Sequence, residues 1–244
     1  MGESLTPDPS PRSVPATPDP AWDRFDTGSE STPGSGALVE RYTNATPGMV
    51  PRAGPTKPAP VGPSPVLGGA FARAHAIVAT HEGGFQADPR DPGNWSGGGI
   101  GKGECRGTNW GISARAYPDV DIRALTREQA AALYKRDYWD KVRGDDLPPA
   151  LALLVYDAAV NCGPGRAARW LQQALGATQD GVIGPLTLGA VERFAGRGAD
   201  LCAEYMKLRW LFHIGLPTWR TFGRGWAARL SALPFQSMQM EERA

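Results

Sequence analysis

Phe71-Ala72-Arg73-Ala74-His75-Ala76-Ile77-Val78-Ala79-Thr80-His81-Glu82-Gly83-Gly84-Phe85 is the stretch on which the fold turns. Phe71, Ala72, His75, Ala76, Val78 and Ala79 recur at spacings of three and four, so the chain from about Val66 reads as a helix that Gly83-Gly84 terminates. A carboxylate in a last helical turn gains nothing from the helix dipole, which favours cations there. Glu82 therefore reads either as a solvated surface residue or as a proton donor at the lip of a cleft. Asp88-Pro89-Arg90-Asp91-Pro92-Gly93 follows and places a second carboxylate, Asp91, in a rigid turn.

Downstream the pattern is almost entirely helical. Thr126 and Gln129 form a capping box that opens a helix through Leu133, Tyr134, Tyr138 and Trp139, where the aromatic spacing favours a core role. A strongly apolar helix spans Ala150 to Val160, and Gly163-Pro164-Gly165 stops it and starts the next, with Ala167, Trp170, Leu171, Ala174 and Leu175 on one face. Two more helices are expected near Leu186 to Phe194 and Ala199 to Phe212, and a last segment runs from Trp219 to Leu230. The Gly-rich run Asn94 to Gly103 lacks a P-loop ending and reads as a hairpin-like flap. The fold class is mainly α, a helical domain with a small β-hairpin or flap beside the cleft and a closely packed C-terminal helical lobe.

Upstream, 14 of the 23 prolines fall within Met1 to Pro65. That composition cannot bury enough apolar surface to offset its ordering entropy, so residues 1–65 read as a disordered tether. Its apolar cluster, Ala37-Leu38-Val39-Glu40-Arg41-Tyr42, is the candidate docking element. The 26 basic and 25 acidic side chains nearly cancel, which removes the electrostatic case for nucleic acid. No run is long and apolar enough for a membrane span, and the first residues lack the basic and apolar regions of a Sec signal. Three widely spaced cysteines and three scattered histidines assemble neither a metal site nor a catalytic triad, so no metal or cofactor is expected.

The blocks Val78 to Phe85, Asp88 to Gly93, Gly107-Thr108-Asn109-Trp110-Gly111-Ile112, Tyr134 to Asp140 and Asp157 to Gly165 together resemble glycoside hydrolase family 108, the secretion-activating and phage-encoded N-acetylmuramidases. Trp170 to Gly176 and Asp180-Gly181-Val182-Ile183-Gly184-Pro185-Leu186-Thr187 resemble the predicted peptidoglycan-binding region that follows the catalytic part in that family. The resemblance covers about Val66 to Leu233. It implies a lysozyme-like catalytic domain over residues 66–165 and a helical lobe over 166–244. In the commonest family pattern the Asp-Pro-Gly turn runs almost directly into the Thr-Asn segment, whereas here Asn94 to Arg106 intervene.

The implied reaction is hydrolysis of the β-1,4 bond between N-acetylmuramic acid and N-acetylglucosamine, with peptidoglycan glycan strands as the partner. Such cleavage needs a protonated carboxyl to protonate the leaving oxygen, and burial under Phe85 or Trp110 would raise Glu82 toward that state. Glu82 is the candidate general acid. Asp91 is the candidate second carboxylate, activating water or stabilising the oxocarbenium-like charge, with Asp88 as the fallback and loop capping as the alternative role. Thr108 resembles the Thr that holds a water in phage-type lysozymes. For the sugar faces and N-acetyl groups, Trp95, Trp110 and Asn161 are the candidates; loop anchoring, core packing and a helix C-terminal role are their respective structural alternatives. Asp180 to Thr187 is either a glycan or peptide grip or a tight interhelix turn.

Two other functions share these features. One is a structural component of a virion or secretion apparatus that grips peptidoglycan without cutting it; the other is activity on chitin or chitosan. A muramidase made in the cytoplasm without a Sec signal fits delivery by a phage holin, by a virion or by a contact-dependent secretion system, through residues 1–65. An injected toxin further implies an immunity protein in the producing cell.

Overall fold

The computed structural model describes residues 69–80 and 84–241. Residues 1–65, expected to be a tether, lie outside the described residues together with the Ala37–Tyr42 cluster, and so does Glu82. The first helix, α1 (Gly69–Ala79), buries Phe71, Ala74 and Val78, one face at spacings of three and four. It ends sooner than the sequence pattern predicts. Thr80 turns its hydroxyl back onto the Ile77 carbonyl at 2.6 Å, and its own N–H reaches the same oxygen at 3.4 Å. That local bond competes with continuation of the helix at Thr80.

The β structure is small and sits after α1. Strand β1 (Thr108–Asn109) pairs antiparallel with β2 (Ile112–Ser113), Thr108 opposite Ser113 and Asn109 opposite Ile112. The two loop residues, Trp110 and Gly111, both have positive φ, 51° and 74°. This is the primed-turn geometry whose twist matches a hairpin, and it places a large aromatic where glycine or asparagine is usual. The Trp110 indole N–H donates to the Leu125 carbonyl at 3.0 Å, and the Asn109 amide donates to the carbonyls of Ile122 and Leu125 at 3.1 and 3.2 Å. These bonds fasten the hairpin to the loop before the next helix. Trp95 bridges to Cys105 and Gly99 to Lys102, so the Gly-rich run is the flap its composition predicts.

Helix α2 (Arg127–Tyr134) opens on the expected capping box, with Gln129 N–H to the Thr126 hydroxyl at 3.2 Å and Thr126 N–H to the Gln129 side chain at 2.9 Å. The expected continuous helix to Trp139 widens instead into a π-helical turn over Lys135–Trp139. The extra residue in that turn lets Tyr138 and Trp139 both point inward, and both are fully buried. Helix α3 (Pro149–Cys162) is buried at every position from Ala150 to Val160, so it forms the axis on which the rest packs. Its stop is Gly163 at φ 87°, a backbone state that favours glycine.

The remaining helices are α4 (Pro164–Ala174), α5 (Pro185–Glu192), α6 (Gly198–Ile214) and α7 (Trp219–Glu241). Helices α1, α4, α6 and α7 all touch α3, and one apolar cluster runs from Phe71 to Met240. The C-terminal lobe is therefore packed onto the α3 axis. Helix α7 extends well past the Leu230 end read from sequence, carrying Pro234 in its interior. Leu230, Leu233 and Met240 are buried along it, and this packing outweighs the loss of one backbone hydrogen bond at the proline. Among the described residues no helix is long and apolar enough to cross a membrane. No disulfide joins Cys105, Cys162 or Cys202, and burial raises the Cys202 thiol to about 11, with Glu241 adding to the shift.

An ionic clamp ties α3 to the C-terminal helices. Asp157 of α3 receives Arg209 of α6 at 2.7 Å and Arg229 of α7 at 2.5 Å, and both Asp157 and Arg209 are 1% exposed. Burial alone would raise the Asp157 carboxyl, but the two guanidinium groups outweigh it and hold it below the ordinary carboxylate value.

Burial lowers both His75 and His213 to about 4, even though an opposing bond to the Arg209 carbonyl favours the charged form of His213. A folded value below the unfolded one means that the unfolded chain binds more protons between them. Stability is thus expected to be complete above about pH 6.5 and to decline as the pH falls toward 4. A series of thermal melts should show this slope, and His213→Gln should flatten part of it.

Candidate active site

Beyond α1 the described chain resumes at Gly84, and Gln86 pairs with Thr108 through two backbone hydrogen bonds of 2.8 Å. This bridge brings the segment after Glu82 alongside β1. Gly107 makes the approach feasible, because at φ 86° it sits where a Cβ would lie 2.4 Å from the Gln86 carbonyl oxygen.

On this bridge four polar side chains close a network. The Gln86 amide donates to Asp91 Oδ2 at 3.2 Å and to Asn94 Oδ1 at 3.1 Å. Asn94 donates in return to Gln86 Oε1 at 2.8 Å and to the Asp88 carbonyl at 2.9 Å. Thr108 donates its hydroxyl proton to Asn94 Oδ1 at 2.8 Å. The other Asp91 oxygen accepts from the Gly93 N–H at 2.8 Å and caps a short turn over Pro92–Asn94. Asp91 and Thr108 are thus joined through a reciprocal Gln86–Asn94 amide pair, and Asn94 is wholly buried.

The protonation pattern in this network has a consequence. With its proton committed to Asn94, the Thr108 oxygen retains lone pairs that can accept from a water or a sugar hydroxyl. Asp91 meets no cation among the described residues and keeps its acceptor capacity. Asp88, by contrast, is held by Arg90 through bonds of 2.9–3.2 Å, and these side-chain bonds lower its carboxyl. Asp88 is engaged elsewhere and is the weaker second carboxylate.

The other nominated residues divide. Trp110 lines a cavity of about 550 Å³ between α1 and α2, together with Phe71, His75, Thr80 and Glu128. Arg127 lies over its ring, 4.7 Å from the centroid. Phe85 is 37% exposed and carries Arg123 at 4.3 Å. The two rings expected to shelter Glu82 are thus each covered on one side by a guanidinium. Trp95 donates its indole N–H to the Pro89 carbonyl at 2.9 Å and anchors the flap. Asn161 lies within α3 and donates to the Asp157 carbonyl at 2.7 Å and to Asp157 Oδ2 at 3.2 Å. Its amide steadies the ionic clamp, while Gly163 rather than Asn161 takes the left-handed backbone conformation.

The Asp180–Thr187 turn is fastened from within. Gln172 of α4 donates to Asp180 Oδ1 at 2.6 Å, to the Val182 carbonyl at 3.0 Å and to the Thr187 hydroxyl at 3.3 Å, and it accepts from the Gly181 N–H at 2.9 Å. These bonds account for the polar residues of the motif by interhelix packing.

Gln86 and Asn94 were not legible as site residues, since an amide has no periodicity or motif signal; Asn94 is marked only by following Asp-Pro-Gly. Asn94→Ala is expected to deprive the Thr108 hydroxyl and the Asp88 carbonyl of their partner at once and to leave the Gln86 amide donating to Asp91 alone. Removing one partner of a buried polar group costs about 1–3 kcal/mol, so a lower melting temperature should accompany a loss of turnover of about tenfold or more. Steady-state kinetics and a thermal melt read the two effects separately.

A helical domain whose first helix leads into a hairpin-borne polar cluster has the architecture of lysozyme-like glycosidases. The sequence model of the Glycosyl hydrolase 108 family matches residues 75–163. Among solved structures, that of SagA from Brucella abortus is 35% identical, aligned over 70% of this chain and 95% of that one, with a TM-score of 0.58. No curated protein matches the chain. The chain belongs to the glycosyl hydrolase 108 family. Membership makes it a glycoside hydrolase and supports peptidoglycan as the material it hydrolyses.

Proposed function

We propose that the chain is an N-acetylmuramidase that cleaves the β-1,4 bond between N-acetylmuramic acid and N-acetylglucosamine, with Glu82 as general acid. The observation that carries this reading is the Asp91–Gln86–Asn94–Thr108 network. It presents a carboxylate with no cation partner among the described residues and a hydroxyl oxygen with free lone pairs, on the bridge that begins four residues after Glu82. In this scheme Glu82 protonates the leaving oxygen. Asp91 stabilises the oxocarbenium-like charge or takes a proton from water, and Thr108 orients that water. Gln86 and Asn94 hold the last two residues in register. Trp110 contributes a sugar face, and Trp95 and Asn161 act as supports whose N–H groups are already engaged.

We divide the chain for this purpose into a catalytic part, 66–165, and a supporting lobe, 166–244, with 1–65 as the tether that meets a delivery machine. The protein would be made in the cytoplasm and reach the wall by that machine, with an immunity protein in a producer that injects it.

The test is mass spectrometry of soluble products released from purified peptidoglycan. A muramidase releases fragments with a new reducing N-acetylmuramic acid end. Fragments ending in reducing N-acetylglucosamine would exclude the assigned bond. Retention on the sacculus without any release would favour a binding component.

A further inference from the structure

Polar and aromatic groups alone do not account for the rim of the cleft. Arg123 and Arg127 lie four residues apart in sequence, on the loop that Asn109 and Trp110 fasten to the hairpin and at the start of α2. Each is exposed and lies over an aromatic ring, Phe85 and Trp110 respectively. Neither forms an ion pair among the described residues, whereas Arg90, Arg106 and Arg136 are each bound to a carboxylate. Glu128, the acid next to Arg127, turns back to its own N–H and the Thr126 hydroxyl, and these bonds lower its carboxyl. A guanidinium laid flat on a ring keeps its edge, and the fork of donors on it, free for a planar anion.

The position of these groups gives them a role. The cavity of about 550 Å³ beside Trp110 is lined by Arg127, Glu128, alanines of α1 and α2, and Thr80, the last described residue before Glu82 in sequence. A neutral polymer such as chitin has no charged group for two guanidiniums that form no ion pair among the described residues. Peptidoglycan does carry such groups: a muramic residue without a stem peptide ends its lactyl arm in a carboxylate, and one with a peptide amide-linked to that arm carries the free carboxyls of the peptide instead.

Resting on the muramidase reading above, we propose that Arg127, assisted by Arg123, is the specificity-determining group that selects carboxylate-bearing glycan over uncharged glycan of the same backbone. Charge-assisted Arg–carboxylate contacts are the strong class of hydrogen bond, so roughly a tenfold preference is expected from the pair, reduced by added salt.

The experiment compares sacculi as isolated with sacculi whose carboxyls have been converted to neutral methylamides. Retention of the Glu82→Gln protein on each material reads binding, and product release by the wild type reads hydrolysis. The expected result is roughly tenfold weaker retention and slower release on the amidated material. An Arg123→Ala/Arg127→Ala protein should bind and cut both materials at that lower level. Arg127→Lys should recover part of the preference, while Arg224→Ala, on α7 and outside the cavity lining, should keep all of it. Thermal melts check that the variants fold, and their exposed positions predict little change. Equal binding and equal cutting of both materials by the wild-type sites would overturn the proposal and leave the hydrolase reading intact. A preference in retention with no release from either material would do the reverse.

Discussion

Glu82→Gln is expected to lower peptidoglycan hydrolysis by about 10²–10⁴-fold, the range that a positioned general acid contributes. The substitution keeps the size and the acceptor oxygen of the side chain but removes its acidic proton, so the leaving oxygen would depart without protonation. The same protein should still be retained by the sacculus and should melt within about a degree or two of the wild type, because Gln has nearly the volume and shape of Glu. Loss of turnover with retention unchanged separates a chemical role from a structural one. Turnover within threefold of the wild type would remove Glu82 as the acid. Asp91→Asn supplies a second discrimination. The amide cannot take a proton from water, yet its oxygen can still accept from the Gly93 N–H, so turnover should fall while the turn it caps persists.

The second large effect concerns stability. Asp157→Ala leaves Arg209 buried with its ion pair gone and leaves Arg229 without its carboxylate. Breaking a buried ion pair by removing one partner costs about 3–5 kcal/mol, against a total of about 5–15 kcal/mol for an ordinary domain. Since the clamp joins α3, α6 and α7, urea unfolding should show a much lower midpoint. The wild-type contribution has a definite pH dependence. Asp157 is held below its unfolded value, so its stabilisation is complete above about pH 4 and is lost as the pH falls through the folded value. Asp157→Asn should lose that acid-side component and be less stable than the wild type at neutral pH. Adding Arg209→Met to Asp157→Ala should recover part of the loss, because an apolar side chain does not carry the desolvation penalty of an unpaired charge. Additive losses in the double variant would show that Arg209 acts independently of Asp157.

The two effects are linked through α3. Its apolar face supports α1, which leads into Glu82, and its Asp157 holds the C-terminal helices. The C-terminal helices held by Asp157 are therefore coupled through α3 to α1, the helix that precedes Glu82 in sequence. Activity and lobe stability are expected to fall together on Asp157→Ala and separately on Glu82→Gln.

What the sequence determined alone was local. The capping box at Thr126 and Gln129 was legible because both bonds close within three residues. The break at Gly163-Pro164 was legible because glycine supplies the left-handed φ and proline fits the first turn of a helix. The buried α3 axis followed from an apolar run broken only by Asp157, and the flap from its glycines. Asp91 as an acceptor within its own turn also belongs to this level, since an Asp-Pro-Gly segment caps itself.

Tertiary structure decided the rest, for reasons that spacing cannot carry. The Gln86–Asn94 pair becomes a site element only when β1 lies against Gln86, an approach that Gly107 permits. The arginines become a rim only when Asn109 and Trp110 fasten their loop to the hairpin. Asp157 finds its partners 52 and 72 residues away, where any carboxylate in an apolar helix would look like an error from sequence alone. Helix α7 passes through Pro234 because buried leucines and Met240 hold it to the core against a local propensity to break. Local hydrogen bonding and periodicity set the elements, and the burial of polar partners from distant positions set the site.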